Sequence, residues 1–171
     1  DSSEENLASA AEIDRQWQLS NGGARGFSMG RFTPEYMRAQ AGFAAFKGDE
    51  FIAFITCHRG SEEWALDLLR ARDDVPNGTM HALVWHAVQA ARQENCARFS
   101  LASIRCSDAP LIKIIDQLSF RRSPDTKGLE QFKRSFAPHW RPLYAAAPNR
   151  FALWLGLWDV WQEVQDPPPL R

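Results

Sequence analysis

The fold is decided by the segment Asp67-Leu-Leu-Arg-Ala-Arg-Asp-Asp-Val-Pro-Asn-Gly-Thr-Met80. It runs from an apolar strand pattern that carries an acid and a base, through a Pro-Asn-Gly turn, into a long amphipathic helix pattern. A strand that delivers charged groups to the N-terminus of a helix is a common way to build an anion-binding or acyl-transfer site. Asp67 and Arg70 are therefore the first candidate catalytic residues.

Upstream of this segment, the sequence predicts a helix and an antiparallel meander. Residues 4–19 have helical composition, and the glycine-rich residues 21–26 end the helix. A short strand is predicted at residues 27–32, and Thr33-Pro34 begins a short helical turn with proline at its first position. The meander comprises three predicted strands, at residues 41–47, 51–57 and 63–70, and Gly48-Asp49-Glu50 is the hairpin turn between the first two.

Downstream of the segment, helices and strands alternate. Asn77 or Thr79 is expected to cap a helix that runs through residue 95. The further predicted elements are a strand at 97–104, a helix at 110–118, a basic helix at 129–136, a strand at 142–147 and a helix at 150–164. This order predicts an α/β fold with a mixed, mostly antiparallel sheet flanked by helices. Acyltransferases of the GNAT type have the same order of elements, although composition alone does not single them out. We expect an N-terminal helix and linker at 1–24, the GNAT-like domain at 25–165 and a loose proline-rich tail at 166–171.

Composition and charge fit one globular domain with an uneven surface. The chain is 44% hydrophobic and carries a formal net charge of −1. Residues 121–150, however, hold seven basic and two acidic residues, a net of +5. Such a block suits a polyanionic partner such as phosphate, RNA or an acidic lipid surface, and it equally suits a solvated basic face. The three scattered cysteines predict neither a disulfide scaffold nor a zinc site, and we expect no metal and no cofactor.

The candidate site residues allow two interpretations. Asp67 and Arg70 are three apart, so a regular strand would point them to opposite faces unless a bulge re-aims one. They could orient an attacking group and clamp an anion, or they could form an internal salt bridge at the strand end. Asn77 and Gly78 offer an anion site at the helix N-terminus, or an ordinary helix cap. The glycine-rich loop by which GNAT acetyltransferases hold coenzyme A pyrophosphate is missing here.

Two aromatic segments are also ambiguous. Phe132-Lys133-Arg134-Ser135-Phe136 interleaves cations with aromatics, which suits a phosphodiester ligand, while its phenylalanines also fit a buried helix face. The predicted C-terminal helix carries a stripe of Phe151, Trp154, Trp158 and Trp161. Such a stripe can lie at a membrane interface, and core packing is the interpretation favoured here.

Five blocks of the sequence, in order, resemble the cytosolic domain of bacterial phosphatidylglycerol lysyltransferases and alanyl-phosphatidylglycerol synthases. They are Gly26-Phe-Ser-Met-Gly-Arg-Phe32, Asp67-Leu-Leu-Arg70, Pro76-Asn-Gly-Thr-Met80, Gly128-Leu-Glu-Gln-Phe-Lys133 and Phe136-Ala-Pro-His-Trp-Arg-Pro-Leu-Tyr144. The resemblance extends from about residue 13 to about residue 150. It implies a GNAT-like domain that uses aminoacyl-tRNA as co-substrate, in place of an acyl-CoA.

The resemblance implies transfer of lysine or alanine to the glycerol hydroxyl of phosphatidylglycerol, which makes the lipid neutral or cationic and protects the cell against cationic antimicrobial peptides. It implies further that this chain is the soluble C-terminal part of a larger protein, with transmembrane regions and another GNAT-like domain before it. The expected location is the cytoplasmic face of the inner membrane. The expected partners are aminoacyl-tRNA and phosphatidylglycerol at the membrane surface.

By resemblance, Asp67 and Arg70 match the acid and base of the family's Asp-Leu-Met-Arg motif, which is implicated in catalysis. Lys133 matches the lysine of the Gly-Leu-x-x-Phe-Lys segment, and we expect Arg134 and Arg141 to join it in substrate binding. His81 stands where the family usually has an acid. Two other functions stay open: an N-acyltransferase that uses acyl-CoA, and a non-catalytic domain that binds lipid or RNA through the basic block.

Overall fold

The computed structural model describes residues 2–21, 23, 30–104 and 126–165. They fall into two units, one of Asp1–Ser100 with Tyr144–Arg171 and the other of Leu101–Leu143. The elements are α1 (Ser2–Asn21), α2 (Pro34–Arg38), β1 (Ala41–Lys47), β2 (Glu50–Arg59), β3 (Glu63–Ala71), α3 (Thr79–Gln93), β4 (Arg98–Ser100), α4 (Thr126–Arg134) and α5 (Arg150–Gln165).

The four strands form one mixed sheet in the order β1-β2-β3-β4. The first three strands are an antiparallel meander, as predicted, and β4 pairs with β3 in parallel. Helix α3 makes this parallel pairing possible, because parallel neighbours need a crossover connection. The predicted fold class, α/β and GNAT-like with helices flanking a mostly antiparallel sheet, is confirmed.

Strand β2 is the centre of the first unit. Every residue from Phe51 to Cys57 is buried, which requires cover on both faces of the sheet. A hydrophobic cluster joins α1 to the sheet, and its members are Ala10, Ile13, Phe51, Phe54 and Leu68. Helix α2 and the residues before it pack against this cluster through Phe32, Tyr36 and Met37. Helix α3 buries Leu83, Val84, Ala87 and Ala91 and packs against β2 and β1.

A β-bulge in the pairing of β2 with β3 changes the direction of the candidate side chains. Ile55 pairs with Leu69 but Cys57 pairs with Leu66, so Thr56 faces two residues of β3. The backbone N–H of Leu68 donates to Thr56 Oγ1 over 3.1 Å. The extra residue shifts the alternation of side chains by one position, and Asp67 and Arg70 therefore lie on the same face of the sheet.

The ends of the predicted elements show where local patterns fail. Helix α3 begins at Thr79 after Gly78, which has φ of 91° and provides no side-chain cap, so the prediction that Asn77 or Thr79 caps the helix was wrong. Thr79 Oγ1 instead donates to the carbonyl of Pro76 over 2.7 Å. Helix α2 does begin as predicted, because Thr33 accepts from the backbone N–H of Tyr36.

The predicted strand at residues 142–147 was also wrong, since this exposed segment has no regular structure. Pro142 has no N–H to donate within the segment, and Pro148 has none directly after it, which disfavours pairing with a neighbouring strand. The predicted strand at 97–104 shortens to Arg98–Ser100. The predicted strand at 27–32 was wrong at residues 30–32, which have no regular structure, and its residues 27–29 lie outside the described residues. The predicted helix at 110–118 and the tail at 166–171 also lie outside them, as do the predicted domain boundaries after residues 24 and 165.

Helix α5 forms as predicted, but its aromatic stripe is not in a core. Phe151 is 70% exposed and Trp154 is 43% exposed, so the core interpretation of this stripe was wrong. The rings of Trp154, Trp158 and Trp161 stack on one another instead, with centroids 6.0 and 5.0 Å apart. Within the described ranges, no helix combines the length and the apolarity needed to cross a bilayer.

Candidate active site

Asp67 lies at the bulge and forms the centre of a polar cluster. Its side chain is only 11% exposed. Its Oδ2 accepts hydrogen bonds from Tyr36 Oη over 2.6 Å and from Gln40 Nε2 over 2.7 Å. His58 Nε2 lies 3.5 Å from the same oxygen and 3.1 Å from Tyr36 Oη. Three elements thus hold one carboxylate: β3 carries it, α2 with the following turn supplies two donors, and β2 supplies the imidazole.

Gly30 completes the surroundings of Asp67. A Cβ atom at this position would overlap both carboxylate oxygens of Asp67. Glycine is required here because the backbone approaches the carboxylate so closely. The first of the five sequence blocks, which contains Gly30, therefore has a physical link to the second, which contains Asp67.

The protonation states of two neighbours follow from this cluster. Burial, and then the hydrogen bond to Asp67 and its negative charge, raise the pKa of the Tyr36 hydroxyl. Tyr36 is therefore a phenol at physiological pH and acts as a donor. Burial, assisted by the charge of Asp67, raises the pKa of the Cys57 thiol to about 12. Cys57 is consequently a neutral core residue and not a nucleophile.

Arg70 is anchored to helix α1. Its Nε donates to Asp14 Oδ1 over 2.6 Å, and the two side chains are 11% and 3% exposed. The guanidinium carbon lies 3.6 Å from the ring centroid of Trp17, and Nη1 donates to the carbonyl of Leu69. Burial lowers the pKa of the Arg70 guanidinium, and Asp14 opposes that effect. These contacts match the salt-bridge interpretation, and the catalytic role of Arg70 stays a prediction.

The residues before α3 are open to solvent. Asn77 and Gly78 are both exposed, and His81 is exposed on the first turn of the helix. The backbone N–H of Thr79 is already bonded to the carbonyl of Pro76. An anion at this helix N-terminus would have to use the N–H groups that follow Thr79. The substrate-binding role of Asn77 and Gly78 stays a prediction.

In the second unit, Lys133 is 3% exposed and ties α4 to the segment that follows β4. Its Nζ donates to the carbonyls of Ala102 and Ser103, both over 3.1 Å. Burial lowers the pKa of this ammonium to about 8. The geometry assigns Lys133 a structural contact, and its expected role in substrate binding stays a prediction.

Arg134 and Arg141, the arginines of this unit that the structure describes, are more accessible. Arg134 pairs with Glu130 over 2.6 Å and lies over Trp140, with the guanidinium carbon 5.6 Å from the ring centroid. Arg141 is exposed. Both remain predicted substrate-binding residues. In the described part of the chain, no three His, Cys, Asp or Glu side chains converge where a metal ion could bind.

Sequence reasoning found Asp67 but missed Tyr36, Gln40, His58 and Gly30. One signal for His58 was available, because Thr56 and His58 are polar at alternate positions of an otherwise apolar strand. Such alternation marks one face of β2 as different from an ordinary core face. Tyr36 and Gln40 gave no comparable signal, since their relation to Asp67 depends on how α2 packs against the sheet.

The mixed sheet and its flanking helices define an α/β domain of the GNAT-like class. The family described as phosphatidylglycerol lysyltransferase, C-terminal, matches residues 1–147, and the chain belongs to this family. A phosphatidylglycerol lysyltransferase of Bacillus subtilis (strain 168) is 28% identical over 157 residues. That match covers 82% of this chain but 18% of the relative, so the chain spans about a fifth of the relative's length.

Two solved structures share the fold. The C-terminal DUF2156 domain assigned to a lysylphosphatidylglycerol synthetase of Agrobacterium fabrum matches with a TM-score of 0.80 and 23% identity, over 96% of this chain and 52% of that one. L-PGS from Bacillus licheniformis matches with a TM-score of 0.60 and 23% identity, over 80% of this chain and 43% of that one. These two solved structures therefore resemble this chain in backbone fold.

Proposed function

We propose that this chain is the C-terminal catalytic domain of a larger membrane protein that moves an amino acid from aminoacyl-tRNA to the glycerol hydroxyl of phosphatidylglycerol. The family to which the chain belongs supports the lipid acceptor. The observation that carries the proposal is the buried carboxylate of Asp67, which the surrounding donors keep in a fixed orientation. A fixed, water-poor carboxylate beside a GNAT-like sheet is suited to orient a group for acyl transfer.

The proposed reaction is a transesterification that needs no cofactor. The glycerol oxygen attacks the ester carbonyl carbon of the aminoacyl group, and the bond from that carbon to the ribose oxygen breaks. The proton of the attacking hydroxyl ends on the ribose oxygen, so atoms and charge balance. Asp67 would orient either the attacking hydroxyl or the α-ammonium of the aminoacyl group, since a carboxylate accepts from both.

Both proposed substrates carry phosphates, and cations of this chain would hold them. Arg134 and Arg141 are exposed and belong to the basic block of residues 121–150, so they are available to phosphate oxygens. Asn77 and Gly78 precede a helix N-terminus that favours anions. Arg70 would contribute its positive charge while Asp14 keeps it in place. We propose that the lipid is reached from the cytoplasmic face of the inner membrane, where the preceding transmembrane and GNAT-like regions hold this domain.

An assay with defined components tests this function. The intact protein, reconstituted in phosphatidylglycerol vesicles, is supplied with lysyl- or alanyl-tRNA labelled in the amino acid. We expect label in the lipid fraction, and Asp67→Asn should reduce the rate at least about 100-fold while its thermal unfolding stays unchanged. The control Asp74→Asn changes an exposed acid nearby in sequence and should keep the wild-type rate.

Two results would contradict the proposal. One is an unlabelled lipid fraction with both charged tRNAs and an intact, folded protein. The other is an Asp67→Asn rate equal to that of wild type. A rise in thermal stability on adding coenzyme A would instead favour the acyl-CoA alternative.

A further inference from the structure

We infer that Tyr36 and Gln40 are positioning residues that hold Oδ2 of Asp67 and so fix the orientation of the carboxylate that the proposed reaction uses. This inference deepens the proposed function and rests on it for its catalytic meaning. It assigns a role to a turn of helix that neither the sequence blocks nor the family match singles out.

Both donors reach the same oxygen. Tyr36 Oη and Gln40 Nε2 lie 2.6 and 2.7 Å from Oδ2. Among the described residues, no side chain donates to Oδ1. Two short bonds to one oxygen fix the rotation of the carboxylate, and the backbone of Gly30 packs closely against both of its oxygens.

Tyr36 is itself held firmly. The backbone N–H of Tyr36 is bonded to Thr33 at the start of α2, and its ring packs beside the cluster that contains Phe54 and Leu68. Its single hydroxyl hydrogen is directed to Asp67, so His58 Nε2, 3.1 Å away, must carry the hydrogen of their shared bond. The donors therefore form a chain from His58 through Tyr36 to Asp67. Such a chain polarises each bond in the same direction.

The side-chain amide of Gln40 supports the same conclusion, because only one of its two ends has a hydrogen-bond partner among the described residues. Its amide nitrogen must face Asp67, because the flipped amide would place Oε1 against a carboxylate oxygen. In this orientation Oε1 is buried and has no hydrogen-bond partner among the described residues. A buried acceptor without a partner destabilises the folded state. The same orientation of the Gln40 amide lets its N–H donate to Asp67.

A double-mutant cycle tests whether Tyr36 acts through Asp67. The variants are Tyr36→Phe, Asp67→Asn and the two combined, assayed for lipid aminoacylation in the intact protein. Tyr36→Phe keeps the ring and should lower kcat roughly 10- to 100-fold with little change in KM. The double variant should be no slower than Asp67→Asn alone. The matched control is Tyr144→Phe, which removes the hydroxyl of an exposed tyrosine and should leave kcat unchanged.

Losses that multiply in the double variant would overturn the inference, and so would a wild-type kcat for Tyr36→Phe. Gln40→Met provides a second variant, which removes only the other donor and should also lower kcat. Thermal unfolding of each variant separates a loss of positioning from a loss of folding.

Proton NMR tests the positioning without any activity. The hydroxyl proton of Tyr36 should give a downfield, slowly exchanging signal, because it lies in a short bond to a carboxylate. That signal should vanish in Tyr36→Phe, move upfield in Asp67→Asn and persist in Tyr144→Phe. Its absence from the wild type would overturn the positioning role. If the signal is present but no lipid is aminoacylated, the positioning stands and the proposed function fails.

Discussion

At the scale of single residues, Lys133 shows how burial changes the chemistry of a charged group. Its ammonium is buried and bonded to the carbonyls of Ala102 and Ser103, which carry only partial negative charge. Burial therefore dominates and lowers the pKa of Lys133 from 10.5 to about 8. A lysine of this kind contributes little positive charge to a phosphate site in alkaline solution. This distinguishes it from the exposed Arg134 and Arg141.

The lowered pKa of Lys133 predicts a pH dependence of stability. Between pH about 8 and about 10.5 the unfolded chain binds this proton while the folded chain has released it. The free energy of unfolding should therefore rise with pH across this window through this group. Denaturant unfolding of Lys133→Met and of wild type, compared at both ends of the window, checks this. A constant difference between the two proteins would contradict it.

Asp67 and its neighbours show which part of the site can be predicted from sequence. Asp67 stands out because it is an acid in an apolar strand, beside a turn and a helix start. Tyr36, Gln40 and Gly30 reach Asp67 only through packing of separate segments, and nothing in their local sequence specifies that packing. The acid could be predicted, but the groups that orient it could not.

At the scale of elements, the β-bulge between β2 and β3 places Asp67 and Arg70 on the same face of the sheet. An alternating strand would have separated Asp67 from Arg70, and the sequence alone left both outcomes open. The hydroxyl of Thr56 supplies an acceptor for the extra N–H of Leu68, which stabilises the bulge. The strands and helices themselves were predictable, because long apolar runs and turn residues mark them. The segment at 142–147 was mispredicted because its apolar content was given more weight than the prolines at its first position and directly after it.

Replacement of the bulge acceptor should change both stability and activity. Thr56→Val keeps the shape of the side chain but leaves the N–H of Leu68 without its partner. We expect a loss of about 1–2 kcal/mol in the free energy of unfolding, and a lower rate because Asp67 changes direction. Thr79→Val, at the solvent-accessible start of α3, should lower the free energy of unfolding by less. Equal stability and rate for Thr56→Val and wild type would show that the bulge does not depend on this bond.

The attachment of α1 to the sheet depends on the buried pair of Asp14 and Arg70. Asp14→Asn leaves the guanidinium buried without its counter-charge, and we expect a loss of about 3 kcal/mol in the free energy of unfolding. The exposed pair of Glu12 and Arg15 on the same helix provides the control. Glu12→Gln should have no measurable effect, because solvent screens that pair. Denaturant unfolding that gave equal results for both variants would contradict the anchoring role of Arg70.

At the scale of the whole molecule, the fold and the family agree. The order of elements and the mixed sheet agree with the match over residues 1–147 to the family described as phosphatidylglycerol lysyltransferase, C-terminal. The exposed aromatic face of α5 was the main surprise, because amphipathic patterns do not say whether a core exists to receive them. Sequence alone therefore predicts the class of molecule better than the surroundings of its last helix.

Mass spectrometry of membrane lipids tests the proposed function and the role of Asp67 together. Cells that lack the protein are compared with the same cells making the intact protein or its Asp67→Asn variant at equal levels. We expect lysyl- or alanyl-phosphatidylglycerol only with the wild-type protein. Aminoacylated lipid in equal amounts with wild type and Asp67→Asn would contradict the role of Asp67. Unmodified phosphatidylglycerol in all three would contradict the proposed function.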